Sequence, residues 1–183
     1  FLGGKRLIGE LGEDYVSSLR AVYKDRVKPF ADLCCFWFEK SRAMIEAKRL
    51  TRAGLLATQG IRGGASRVTL DRIKETGDIF FAVDDREWVL DGAAVQVSMV
   101  GFDDGSDTHK VLLQHYETRE LDAATGRDQR RRVRFRTLAV EGIHADLISQ
   151  MDITIARQLA ENARISFIGT QKSGPFDITE QEA

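Results

Sequence analysis

Apolar residues at helical spacing mark the first element of the chain. Tyr15, Val16, Leu19 and Val22 share one stripe over 13–23, behind Gly12, and predict a helix. A longer helix is expected over 31–47, where Phe30, Cys34, Trp37, Phe38, Met44 and Ile45 form a stripe that Leu33, Phe36 and Ala43 widen. So broad an apolar face predicts burial on more than one side, with Glu39, Lys40, Arg42 and Glu46 largely on the polar remainder. Asp32 is expected in the first turn of this helix, where a carboxylate suits the helix dipole.

The period then changes. Ala53-Gly54-Leu55-Leu56-Ala57-Thr58 is a short apolar run between Arg52 and Gln59, the pattern of a buried parallel strand. Gly60, Gly63 and Gly64 punctuate the loop after it. A helix over 65–76 carries Val68, Leu70 and Ile73, and Gly77 stops it. Segments 79–83 and 94–102 read as strands. Helix, strand, helix, strand, strand is the order of an α/β fold with a largely parallel sheet. The link at 84–93 has no helical pattern and is shorter than the dozen or more residues that a parallel return needs. The strand at 94–102 should therefore run antiparallel to the one before it.

After a turn at Asp103-Asp104-Gly105, segments 111–116 and 133–140 read as strands and 122–126 as a turn. A helix is expected over 152–162, then the apolar run Ile165-Ser166-Phe167-Ile168, and a polar, acidic tail after Phe176 that should fray. The chain thus divides into an α/β unit, 1–104, and a small β-rich appendage, 105–183.

Composition narrows the partners. Among 183 residues, 27 Lys+Arg face 28 Asp+Glu, a net charge of −1, so a histone-like or polybasic membrane protein is excluded and nucleic acid could be met only by a local patch. No membrane contact is expected: there is no run of about 18 uncharged apolar residues, and the opening residues lack the apolar core of a signal peptide. Cys34 and Cys35 are neighbours that cannot staple distant segments, which fits a reducing cytoplasm. The chain opens on Phe1 and runs directly into Gly3-Gly4, and so reads as a piece of something longer.

Several chemistries fall away on spacing. His109, His115 and His144 show no metal-binding pattern. Cys34-Cys35 reads as core, with nothing nearby expected to lower a thiol pKa. Gly3-Gly4-Lys5 resembles the end of a phosphate-binding loop, but Arg6 stands where the magnesium-binding hydroxyl belongs. Gly60-Ile61-Arg62-Gly63-Gly64 joins a strand end to a helix start, and reads equally as an anion cradle or as a turn needing glycine for steric reasons. The cluster Arg127, Arg130, Arg131, Arg132, Arg134, Arg136 has only Asp128 as counter-charge. It reads as a nucleic-acid footprint or as a solvated hairpin face, the latter being the simpler. Trp88, expected in the loop with Asp91-Gly92, either stacks on a base or packs on the fold.

The stretch from Ala31 to Gly105, ADLCCFWFEKSRAMIEAKRLTRAGLLATQGIRGGASRVTLDRIKETGDIFFAVDDREWVLDGAAVQVSMVGFDDG, resembles the second half of the catalytic domain of adenine-specific DNA methyltransferases; the resemblance runs from Phe1 to about Ile178 and is most specific from Gly54 to Asp104. More narrowly, it is similar to the methylase part of large single-chain restriction-modification proteins. The resemblance implies a partial Rossmann-like methyltransferase sheet, mostly parallel with one reversed strand at 94–102, and S-adenosyl-L-methionine as methyl donor. It also implies double-stranded DNA as partner, together with upstream and downstream parts of the same full-length protein. The family's motif, Asn-Pro-Pro followed by Phe or Tyr, precedes a loop like Phe1-Leu2-Gly3-Gly4-Lys5, so the resemblance makes Phe1 the aromatic that stacks on a flipped adenine. The Asn, the two prolines and the main cofactor-gripping motif would lie before Phe1. Asp32 and Leu33 match the motif adjoining the cofactor, and Trp88 matches the aromatic on the base's second face. Lys5, Arg62, Arg130, Arg131, Arg132 and Arg134 are then the candidate nucleic-acid contacts. The residue types suit the task, because an adenine must leave the duplex and be held between flat or apolar groups before its amine meets a methyl donor. On this reading the chain alone is inactive. The rivals are a non-enzymatic nucleic-acid-binding module that uses the arginine cluster, and a small-molecule methyltransferase or other α/β enzyme.

Overall fold

The computed structural model describes residues 2–90, 93–121 and 128–150, with side chains described outside 90–93 and 115–134. A 3-10 turn at Gly4–Arg6 leads into α1 (Leu7–Leu11) and α2 (Glu13–Val22). Then follow α3 (Cys34–Glu46), β1 (Arg52–Thr58), a 3-10 turn at Gln59–Arg62, and α4 (Gly64–Thr76). The rest is strand: β2 (Asp78–Leu90), β3 (Ala93–Asp103), β4 (Lys110–Leu121) and β5 (Asp128–Val140). The expected turn at 122–126, the helix at 152–162, the run from Ile165 to Ile168, the tail, Asp91-Gly92 and Phe1 lie outside the described residues.

The chain forms an α/β structure on one open mixed sheet of order β1-β3-β2-β4-β5. The antiparallel course of β3 against β2, expected from the short link, is present. β1, β2 and β4 point one way, and β3 and β5 the other. Because the reversed β3 is inserted between β1 and β2, only β2 and β4 make a parallel pair, so the pairing is less parallel than the alternation of elements implies. Segment 84–93 is no loop. Both strands continue through it as a hairpin, with Trp88 opposite Val95, past a register shift at Asp84-Asp85. Asp84 is buried and Asp85 half-buried at the register shift, while Arg86 and Glu87 beyond it are exposed, so the stretch has no apolar period, which is why the pattern hid it.

One face of the sheet carries the main core. Ala57 of β1, Ile79 and Ala82 of β2, Val100 and Phe102 of β3 and Leu112 of β4 pack with Phe38 of α3 and with Leu70 and Ile73 of α4. Phe38 and Phe102 stack at 6.0 Å. A satellite cluster joins Phe36 to Leu7 and Val16, fixing α1 and α2 on another side of α3. The broad stripe of α3 is thereby divided. Cys35, Phe38 and Ile45 face the sheet core and Phe36 faces α2, while Trp37 falls between the two and is 52 % exposed. Phe30, also expected on the stripe, stands at a positive φ of 66° before the helix and is exposed beside the Arg20 guanidinium. Glu39 and Arg42, expected on the polar side, are instead buried. They occupy the helical positions between the core residues and are tolerated there because they neutralise each other (Arg42 Nε to Glu39 Oε2 2.8 Å).

Gly77 ends α4 for a reason the pattern did not contain. Its backbone is extended, but a Cβ there would sit 2.0 Å from the Asp103 carbonyl oxygen, where the chain passes the end of β3. Next to it, the Asp78 carboxylate accepts hydrogen bonds from the Lys74 and Lys110 ammonium groups and from the Ile79 N–H. Burial alone would raise its pKa, but the bonds from Lys110, Lys74 and the Ile79 amide outweigh burial and hold it below its ordinary 3.8. Asp78→Ala is expected to cost about 1–3 kcal/mol, read as a lower urea midpoint at unchanged slope. The depressed pKa means that this contribution is complete above the ordinary carboxylate range and fades as the pH falls through the folded value. A variant as stable as the parent at neutral pH would refute it.

Candidate functional site

The chain turns sharply at Lys28-Pro29-Phe30-Ala31, the Ala31 N–H donating to the Lys28 carbonyl. Asp32 follows, and it lies ahead of α3 rather than in its first turn. The expected dipole role is therefore replaced by a different one. Asp32 Oδ1 accepts the Gly4 N–H at 3.0 Å, and Oδ2 accepts the Thr58 hydroxyl at 3.2 Å. Its own N–H donates to Ser66 Oγ at 3.2 Å. One residue thus ties the opening segment, the end of β1 and the start of α4 together. Leu33 completes the strap, its N–H donating to the Leu2 carbonyl at 3.0 Å. Gly4 makes this approach possible, because a Cβ there would lie 2.0 Å from the Phe30 carbonyl oxygen.

The strap floors a cleft of about 290 Å³ lined by Leu2, Asp32, Leu33, Cys34, Trp37, Leu56 and Thr58. Among the described residues Asp32 is the only charged member of that lining; the rest is apolar or neutral, the usual build of a small-molecule site. Cys34 and Cys35 are both free thiols. Their adjacency raises the Cys34 thiol far above its ordinary value, with burial adding, and lowers Cys35 to about 7 against the pull of burial, while Cys35 Sγ donates to the Ser66 carbonyl at 3.9 Å. This corrects the expectation that nothing nearby eases a thiol. The eased sulfur is the one buried in the core, so the cleft meets a neutral Cys34.

The residues singled out from the sequence separate into groups. Asp32 and Leu33 come together with Leu2; Phe1 lies outside the described residues. Trp88 stands half-buried on β2 and does not line the cleft. Lys5 is exposed on the opening 3-10 turn. Arg62 points inward, its Nε donating to the Asp146 carbonyl at 2.8 Å and Nη1 to the Asp84 carbonyl at 3.2 Å, so it binds the 3-10 turn to the β2 bulge. Arg130, Arg131, Arg132 and Arg134 occupy consecutive and alternating positions of β5. Sequence reading missed Trp37 and Thr58 as lining residues. Trp37 had a signal in the width of its stripe, since no single neighbour covers so broad a face, whereas Thr58 had none. Among the described residues no three His, Cys, Asp or Glu side chains gather as a metal would require, and no helix is long and apolar enough to cross a membrane.

Comparison with known proteins gives one kind of likeness. No protein-family model matches the chain, and no curated protein matches it. Among solved structures, the chain is similar to the Type IIL restriction-modification enzyme MmeI in complex with DNA, with a TM-score of 0.55 at 18% identity. The match covers 75% of this chain and 17% of that one, so the chain spans about a sixth of that protein's length. The likeness is one of fold.

Proposed function

We propose that the chain forms one side of the catalytic unit of an S-adenosylmethionine-dependent DNA adenine-N6 methyltransferase belonging to a restriction-modification protein. The observation that carries this reading is the strap, in which the Gly4 N–H bonds Asp32 and the Leu33 N–H bonds Leu2. The loop matched to the one that follows the Asn-Pro-Pro motif, and the residues matched to the cofactor side, far apart in sequence, are tied together at one cleft, which Trp88 does not line. The MmeI-like fold adds support, because that enzyme was solved with DNA. The cleft's residues fit part of the cofactor. Trp37 and Leu33 offer flat and apolar wall, and the lone Asp32 carboxylate complements a cationic ligand. The cofactor supplies the methyl group; Asp32, Leu33 and Trp37 bind and orient it. A base drawn out of the duplex would be held between apolar side chains, with positioning supplying much of the rate.

Neither of the chain's two prolines is adjacent to the other or to an Asn, so the chain contains no Asn-Pro-Pro. The 183-residue chain alone is accordingly expected to transfer no methyl group to duplex DNA from labelled S-adenosylmethionine. Turnover should appear when a polypeptide carrying the Asn-Pro-Pro motif and the cofactor loop is supplied. In that mixture Asp32→Asn, which keeps the shape and an acceptor, is expected to raise the cofactor KM by about tenfold, equivalent to ~1.4 kcal/mol. Turnover by the chain alone, or none with the complement, would sink the reading.

A further inference from the structure

We propose that the β4–β5 ribbon is a groove-reading arm for duplex DNA, seated by the face that carries Gln114, Tyr116, Thr118, Arg132, Arg134 and Arg136; the proposal rests on the reading of this chain as DNA-binding. β4 pairs with β2 only through Val111, Leu112 and Leu113. From Gln114 the ribbon leaves the sheet and continues, paired to β5, as far as Leu121 opposite Asp128. At about 3.4 Å per residue that free stretch is roughly 27 Å long. An isolated two-stranded ribbon is marginal in water, so an arm of this length calls for a surface to lie on.

The register divides its two faces by chemistry. Gln114 pairs with Arg136, Tyr116 with Arg134 and Thr118 with Arg132, and alternation puts these six positions on one face. Those six positions are three arginines and three hydrogen-bonding residues; the carboxylate of the same β4 row, Glu120, comes past the register shift near the tip. Glu117 falls on the opposite face, where His115 pairs with Phe135 and Glu117 with Val133. The opposite face is also the tethered one. The Arg86 guanidinium of the β2–β3 hairpin lies 5.5 Å from the Phe135 ring centre. On the arginine face, Arg136 Nη2 donates to Gln114 Oε1 at 2.9 Å, holding the first pair in place. The Phe135 side of the ribbon is thus tied to the β2–β3 hairpin, and alternation from Leu112 puts the arginine positions on the other side, the one that carries the core nearer the sheet. A two-stranded ribbon fits the major groove, about 12 Å wide, where arginine reads guanine edges and neighbouring phosphates.

The test is fluorescence anisotropy of the 183-residue chain on a labelled duplex, across about 50–200 mM salt. Arg132→Gln/Arg134→Gln/Arg136→Gln is expected to flatten the dependence of log K on log salt by about 0.9 for each phosphate no longer neutralised, up to roughly 2.7. The Arg→Lys triple should restore the slope, which also shows that the arm still forms. Lys24→Gln/Lys28→Gln/Lys40→Gln, the same charge change at exposed positions elsewhere, should leave it unaltered. A parental slope in the arginine triple, an equal loss in the lysine triple, or tighter binding to single strands than to duplex overturns the arm while the methyltransferase reading stands. Failure of the unaltered chain to bind duplex at all overturns both.

Discussion

Glu39→Ala is expected to destabilise the fold by about 3–5 kcal/mol, the largest single effect among these variants. The Glu39 side chain is wholly buried, and its carboxylate takes Arg42 Nε at 2.8 Å and Nη2 at 2.9 Å. Arg72 Nε adds a third bond at 3.1 Å from α4, and Arg26 approaches to 3.8 Å. Without the carboxylate, Arg42 keeps the half-exposed Glu46 and Thr76 but loses its two buried bonds, and Arg72 and Arg26 are left facing it with no anion between them. Glu39→Leu/Arg42→Leu removes both charges and is expected to recover much of the loss, because a buried pair costs desolvation that an apolar replacement avoids. Burial by itself would raise the Glu39 pKa, but the bonds from Arg42 and Arg72 prevail and hold it below its ordinary 4.5. The cluster is therefore fully stabilising above that value and weakens as acid drives the pH through the lower, folded pKa. Chemical denaturation at neutral and acid pH measures both effects. A single-variant loss under about 1 kcal/mol at neutral pH would show that the cluster is not what joins α3 to α4.

Gly4→Ala is expected to release the opening segment from the cleft. The new methyl group would lie 2.0 Å from the Phe30 carbonyl oxygen and 2.6 Å from that of Ala31, both backbone, so no rotamer change relieves the clash. The segment must move, and the Gly4 bond to Asp32 goes with it. Overpacking of about 1–3 kcal/mol and loss of a bond to a charged group worth about 1.5–3 kcal/mol both fall on this strap. Hydrogen exchange reads the result directly, because the Leu33 amide, bonded to the Leu2 carbonyl, should lose its protection while the core amides of β3 keep theirs. Protection at Leu33 equal to the parent's would refute the strap, and with it the placing of the chain's first residues beside Asp32.

The candidate site was legible in part. Asp32 and Leu33 were singled out through a family likeness, yet the dipole role assigned to Asp32 was mistaken, since helix periodicity cannot say which residue before an apolar stripe begins the helix. Arg62 looked like a ligand-binding charge because its glycine-rich setting is shared by anion cradles and tight turns. Two carbonyls from distant segments decide where its donors go, and no local pattern encodes them.

By itself the sequence determined most of the described elements and the direction of one strand, but neither α1 nor the outer half of the β2–β3 hairpin. Helical stripes, apolar runs and glycine stops are local, and a link too short for a crossover forces a reversal wherever the strand ends up. Only the tertiary structure decided which strands are neighbours, which side of α3 stays in water, and that two charged residues of that helix are interior. Those outcomes depend on what packs against each surface, and a residue's own neighbours in the chain carry no record of partners that arrive dozens of positions later.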